Sequence, residues 1–157
     1  MLRIPHYEPH GKVGCRPSRS AQRRFKDKLR ELTSRKRPGT FPTIVKEINQ
    51  VTVGWVNYYG IGYMKSFIEK IQHWLNHRLR QLIWKRWKKV RTRYTMLKKY
   101  GIKHDDALEL AASRKGYWRA SSNHIIHTAI TKDRLKKWGL KDLTQLYKSA
   151  QYRYLSY

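Results

Sequence analysis

The sequence predicts an all-α helical bundle, thumb-like in its succession of short helices, with a short irregular or β-like N-terminal segment. Three observations carry that prediction. Apolar residues return every three or four positions in segment after segment, the period of a helix with one buried face. Capping residues and glycines punctuate those segments at both ends. No run alternates apolar and polar residues with period two for long.

Residues 1–17 hold Pro5, Pro9, Gly11, Gly14 and Pro17, a spacing that breaks helices. They read as a loop or short extended linker, too short to fold alone and like the tail end of something larger. Residues 18–148 read as the helical domain and 149–157 as a C-terminal tail. The first helix spans 18–34: Ser18 or Ser20 caps it, and Phe25, Leu29 and Leu32 form its stripe. Its far face carries Arg19, Arg23, Lys26 and Arg30, and the basic run Arg35-Lys36-Arg37 leads to a Pro38-Gly39 turn.

The second helix spans 43–59. Ile44, Val45, Ile48, Val51, Trp55, Val56 and Tyr59 share about one-third of its circumference. Gly54 sits inside this helix, where glycine costs about 1 kcal/mol against alanine; close approach of a neighbouring helix is the expected reason. Gly60 and Gly62 end it.

The central helix follows. Ser66 and Glu69 have capping-box spacing. Phe67, Ile71, Leu75, Leu79, Ile83 and Trp87 form one i, i+4 row, flanked by Ile68, Trp74 and Leu82. Val90 to Arg93 is its frayed end or a kink, and Thr92 starts a short helix through Leu97 and Tyr100, closed by Gly101. Asp105 to Ser113 is a helix with acids in its first turn, Leu108, Ala111 and Ala112 inward, and Gly116 as its stop. Ser122 caps a helix containing Ile125, Ile126, Ala129 and Ile130, which Thr131 to Trp138 continues or restarts until Gly139. Asp142 and Gln145 open the last, short helix with Leu143, Leu146 and Tyr147.

Charge dominates the composition. The 157 residues include 36 Lys+Arg against 10 Asp+Glu, a net charge of +26. Hydrophobic residues make up 39%, with six Trp and eleven Tyr, so a packed core is affordable and the chain is not a disordered tail. A free molecule with that charge repels itself, and an anionic partner is the natural remedy. Nucleic acid is the first expectation, an anionic membrane surface the second and solubility alone the third; no stretch approaches a membrane span. The start of the chain has no signal-peptide run, so the expected location is cytoplasmic. The single Cys15 excludes an internal disulfide and a cysteine-rich zinc site.

The strongest functional signal is the basic tract Arg78, Arg80, Lys85, Arg86, Lys88, Lys89, Arg91, Arg93, Lys98 and Lys99, since no acid occurs between Glu69 and Asp105. Such cations neutralise phosphates and release counterions. Trp84 falls opposite the apolar row by helical angle; it either packs under another helix or stacks on an unpaired base, as Tyr94 can. Arg114, Lys115 and Arg119 flank Gly116, Tyr117 and Trp118, a mixture that suits either RNA contact or a helix stop over a buried Trp118.

His73 and His77 have metal-gripping spacing but no evident third ligand, and His124 and His127 are read the same way, so no metal and no cofactor are expected. Asp105 and Asp106 complement a helix dipole rather than hold magnesium. There is no phosphate-cradling glycine loop and no nucleophile elbow. Few acids and no nucleophile constellation argue against an enzyme acting on its own.

Several stretches together carry a resemblance: Arg16-Pro17-Ser18, Gly54-Trp55-Val56-Asn57-Tyr58-Tyr59, Trp84-Lys85-Arg86-Trp87-Lys88, Arg91 to Leu97 with Gly101, and Ser113 to Arg119. Ala129-Ile130, Leu135, Gly139-Leu140 and Leu143 complete the order. In order and spacing, residues 12–148 are similar to the maturase-specific domain, also called domain X or the thumb, of group II intron-encoded proteins. Gln50 stands where that family often has proline, and Tyr59 where phenylalanine is common.

The resemblance implies an all-α thumb that binds structured group II intron RNA, assists splicing by stabilising the active intron fold, and clamps RNA/DNA duplex during reverse transcription. It implies a reverse transcriptase core as a further partner, supplied in trans, because the family's Tyr-Ala-Asp-Asp polymerase motif is absent from this sequence. The zinc endonuclease of some members is absent too. The alternative readings are a general DNA-binding module of a mobile element, and an inactive truncated remnant.

Overall fold

In a computed structural model, residues 6–7 and 13–156 are described. Two two-residue strands, β1 (His6–Tyr7) and β2 (Val13–Gly14), pair antiparallel ahead of the helices. The rest of the expected N-terminal loop, residues 1–5 and 8–12, lies outside the described residues. Everything after β2 is helix and connector, so the fold is all-α, with nine helices among the described residues.

Helix α1 (Arg19–Leu32) begins where Ser18 accepts from the Ala21 amide at 3.2 Å, relieving one orphan donor of the first turn. Helix α2 (Phe41–Tyr59) starts two residues earlier than its apolar pattern predicts. Thr40 caps it, and Pro42 fits the first turn, where no amide donor is needed. The expected close approach falls at a different glycine. A Cβ on Gly54 would meet nothing, whereas one on Gly60 would lie 2.4 Å from the Val56 carbonyl oxygen and 2.6 Å from Ala150 Cβ. Gly60 is therefore where the last helix crosses α2.

The central helix α3 (Lys65–Arg86) spans 22 residues. Ser66 is not its cap: the helix begins two residues sooner, after Met64, with no side-chain cap. The entry is held instead by Tyr147, whose hydroxyl accepts from the Met64 amide at 3.3 Å and donates to the Gly62 carbonyl at 2.9 Å. Ile68, Ile71, Leu75, Leu79, Leu82, Ile83 and Trp87 are buried as their period predicts.

A second row of the helix, beside that stripe, is buried as well, which the apolar period does not predict. It is an i, i+4 row of Gln72, Asn76, Arg80 and Trp84. Gln72 donates to Asn76 at 2.8 Å and accepts from the Leu143 amide at 2.7 Å. Burying these amides is tolerable because they are paired. Helix α3 is thus enclosed over both rows, chiefly by α6 and α9, and acts as the axis of the bundle.

The chain breaks at Trp87, and α4 (Val90–Lys99) restarts after Lys89. Gly101, at φ 86, turns it into α5 (His104–Ala112), and the two helices pack as a hairpin. Leu108 is exposed rather than inward; Ala107, Leu110 and Ala111 face the core. Gly116 does not stop α5, which ends at Ser113, but caps a further short helix, α6 (Tyr117–Ser121). Asn123, not Ser122, caps α7 (His124–Ala129).

Helix α8 (Lys132–Lys137) restarts under a Thr131 cap. Gly139, at φ 97, supplies the turn toward α9 (Leu143–Leu155). Asp142 caps α9, accepting from the Thr144 and Gln145 amides at 2.8 and 3.2 Å. Residues 149–155, read from the sequence as a tail, continue this helix.

Candidate nucleic-acid interface

The basic tract divides into residues consumed by the fold and residues left to solvent. Helix α1 ends in carbonyls that need donors. Thr33 answers Leu29 through its amide at 3.0 Å and its hydroxyl at 2.7 Å, and the Ser34 amide answers Glu31 at 3.1 Å. Arg78 reaches across from α3 and donates to the carbonyls of Arg30 and Thr33 at 3.0 and 3.3 Å, and to the Thr33 hydroxyl at 3.0 Å. A cation at a helix C-terminus is favourable for the same reason. Burial, then repulsion from Arg30 and Arg35, holds the Arg78 guanidinium below its ordinary pKa.

Two more cations staple the α1–α2 connector to the end of α3. Lys85 donates to the Arg35 carbonyl at 2.5 Å, and Arg86 to the Gly39 carbonyl at 2.7 Å. Arg93 closes the break between α3 and α4: its Nε donates to the Trp87 carbonyl at 2.8 Å, and its guanidinium lies 4.6 Å from the Trp84 ring centre. The Tyr94 hydroxyl meets His104 Nδ1 at 2.7 Å.

Arg80 and Trp84 need correction as nucleic-acid contacts. Arg80 is 5% exposed and donates to the Ile130 carbonyl at 2.9 Å, capping the end of α7; burial lowers its pKa. Trp84 is 1% exposed, so no base can reach it. The packing alternative is the one realised, because α3 has neighbours over both rows.

Lys88, Lys89, Arg91, Lys98, Lys99, Arg114, Lys115 and Arg119 are exposed. Their side chains make no hydrogen bond, ion pair or ring contact among the described residues. Topology gathers many of them. Helices α4 and α5 pack against each other across the Gly101 turn; Lys88, Lys89 and Arg91 sit at the start of α4, beside the end of α3, and Arg114 and Lys115 follow α5. The α1–α2 connector arrives at the same end, tied to Lys85 and Arg86, and its Arg35 guanidinium lies 5.7 Å from the Tyr117 ring. The α1–α2, α3–α4 and α5–α6 connectors therefore converge. Lys98 and Lys99 mark the opposite end of the hairpin.

Arg35 and Lys36, which the sequence pattern assigns only to the approach to the Pro38-Gly39 turn, belong to this surface as well. The sequence pattern also leaves open a buried Trp118, which is 47% exposed. The histidines hold no third ligand: among the described residues no cluster of histidine, cysteine or acid side chains fits a metal. His77 instead pairs with the Ser121 hydroxyl at 2.9 Å. Its pKa is lowered by burial and by nearby His127, Arg80 and Arg78, against an opposing hydrogen bond at Trp118. No described helix is long and apolar enough to cross a membrane.

Compared with known families, residues 22–101 match the model of the group II intron maturase-specific domain. No curated protein matches the chain. The matched segment runs from α1 through α4, and so contains the axis helix, the stapled connector and the free cations at the start of α4.

Proposed function

The chain belongs to the group II intron maturase-specific domain family, and on that premise we propose that it binds folded group II intron RNA and stabilises its splicing-competent form. The RNA performs the bond chemistry; the protein lowers the electrostatic cost of bringing phosphates together. The observation that carries this reading is the convergence of three connectors bearing exposed, unpartnered cations in a chain of net charge +26. Lys88, Lys89, Arg91, Arg114 and Lys115 are the proposed phosphate contacts, with Arg119, Lys98 and Lys99 extending the surface.

Arg78, Lys85, Arg86 and Arg93 serve that surface by fixing the backbone around it. A polymerase core supplied in trans and an RNA/DNA duplex are further partners in this proposal, with no catalytic role for this chain on its own.

The experiment is a salt titration of affinity for a group II intron RNA. With about six to ten phosphates contacted, affinity falls roughly 10³–10⁵-fold between about 50 and 200 mM salt. A flat response rejects the electrostatic mechanism. Equal affinity for duplex DNA favours the mobile-element reading instead.

A further inference from the structure

Trp118 is the largest side chain that the fold leaves open on α6, at 47% exposure. Its ring is nevertheless held in place. The centre of the indole lies 3.7 Å from that of His77, with the planes at 59°. The Ser121 hydroxyl donates to the Trp118 carbonyl at 2.8 Å, and that one proton is then spent. His77 Nε2 lies 2.9 Å from the same hydroxyl, so Ser121 links the imidazole to the Trp118 backbone. Burial, then nearby His127 and Arg80, hold the His77 imidazole below its ordinary pKa. The result is an indole packed against the His77 imidazole with about half of the residue exposed.

That surface forms one wall of an open groove of about 570 Å³ between α3 and α6, with Glu69, Lys70, His73, Trp74 and His77 along the rest. The size lies within the roughly 300–1,000 Å³ of small-ligand sites. Beyond the lining itself, Lys26, Arg78 and Arg30 lie 5.2, 5.6 and 5.9 Å from the ring centre of Trp74, one of the lining residues. Arg30 is also paired with Asp27, and Glu69 is a carboxylate in the lining. The lining holds one cation, Lys70, and one acid, Glu69; the positive excess comes from the cations around Trp74, while Trp74 and Trp118 give the walls aromatic surface. An aromatic platform beside cations is the arrangement that stacks a base and holds its phosphates.

We infer that the groove takes an unpaired nucleobase, stacked on Trp118, with the adjoining phosphates against Lys26 and Lys70. This rests on the RNA-binding reading above and adds a second contact, chemically distinct from the phosphate surface.

The test compares a short single-stranded RNA of mixed sequence with an abasic strand of the same length, which has the same phosphates. The wild-type chain binds the strand with bases tighter by roughly five- to a hundred-fold. Trp118→Ala removes most of that margin and leaves affinity for the abasic strand unchanged. Trp118→Phe keeps part of it, and both variants retain wild-type helicity. A margin as large in Trp118→Ala as in wild type overturns the groove. Equal, salt-sensitive binding of both strands by the wild type also overturns it while sparing the electrostatic reading. Binding of neither strand overturns both. A DNA strand of the same sequence with the same Trp118-dependent margin supports a stack indifferent to the sugar.

Discussion

Arg80 and Lys88 have the same formal charge and lie eight positions apart on the chain, yet they do different work. The Arg80 guanidinium is shut away from water and spends its donor on the Ile130 carbonyl; Lys88 is exposed and has no partner among the described residues. Arg80→Ala leaves a buried carbonyl without its donor, a loss of about 1–3 kcal/mol. The expected result is a lower denaturant midpoint with an unchanged salt slope for RNA binding. Unchanged stability with weakened binding would instead make Arg80 a direct contact.

At the scale of the helix, two glycines of one element make opposite demands. Gly54 is exposed in the interior of α2, and an added Cβ meets nothing there. Gly54→Ala is expected to stabilise the protein by about 0.5–1 kcal/mol, since alanine restricts the unfolded chain and favours the helix. Gly60 lies against Ala150 of α9, where a methyl has no room. Gly60→Ala is expected to cost about 1–3 kcal/mol by overpacking. Thermal unfolding of the two variants checks both signs, and a stabilised Gly60→Ala would show that α9 moves away at little cost. The hydrophobic pattern is silent here, because it records which face is apolar and not how near the next backbone comes.

For the molecule as a whole, the exposed cations should act together and independently of the core. Changing Lys88, Lys89 and Arg91 to Glu places acids at the N-terminal end of α4, where they complement the helix dipole. Circular dichroism should therefore show intact helicity. Intron RNA affinity should fall by at least ten-fold at low salt, with a shallower salt slope. Wild-type affinity in this triple variant would move the phosphate surface elsewhere. A selective role for the connectors follows from their geometry: Arg78, Lys85 and Arg86 spend their donors on backbone carbonyls, so the cations that remain free are displayed from a fixed base.

The sequence by itself determined the helical class, the cap at Asp142, the apolar stripe of α3 and the family. These depend on local spacing, and local spacing is written directly in the chain. Tertiary structure decided which cations are free. It also decided that Trp84 is core and that Trp118, one alternative for which was burial, is open. Burial of a second row on a helix depends on what packs there, and α6 and α9 come from residues far along the chain. A one-dimensional period can show that one row of α3 is apolar. It cannot show that the row beside it is enclosed, because that enclosure is made of partners rather than of the helix's own residues.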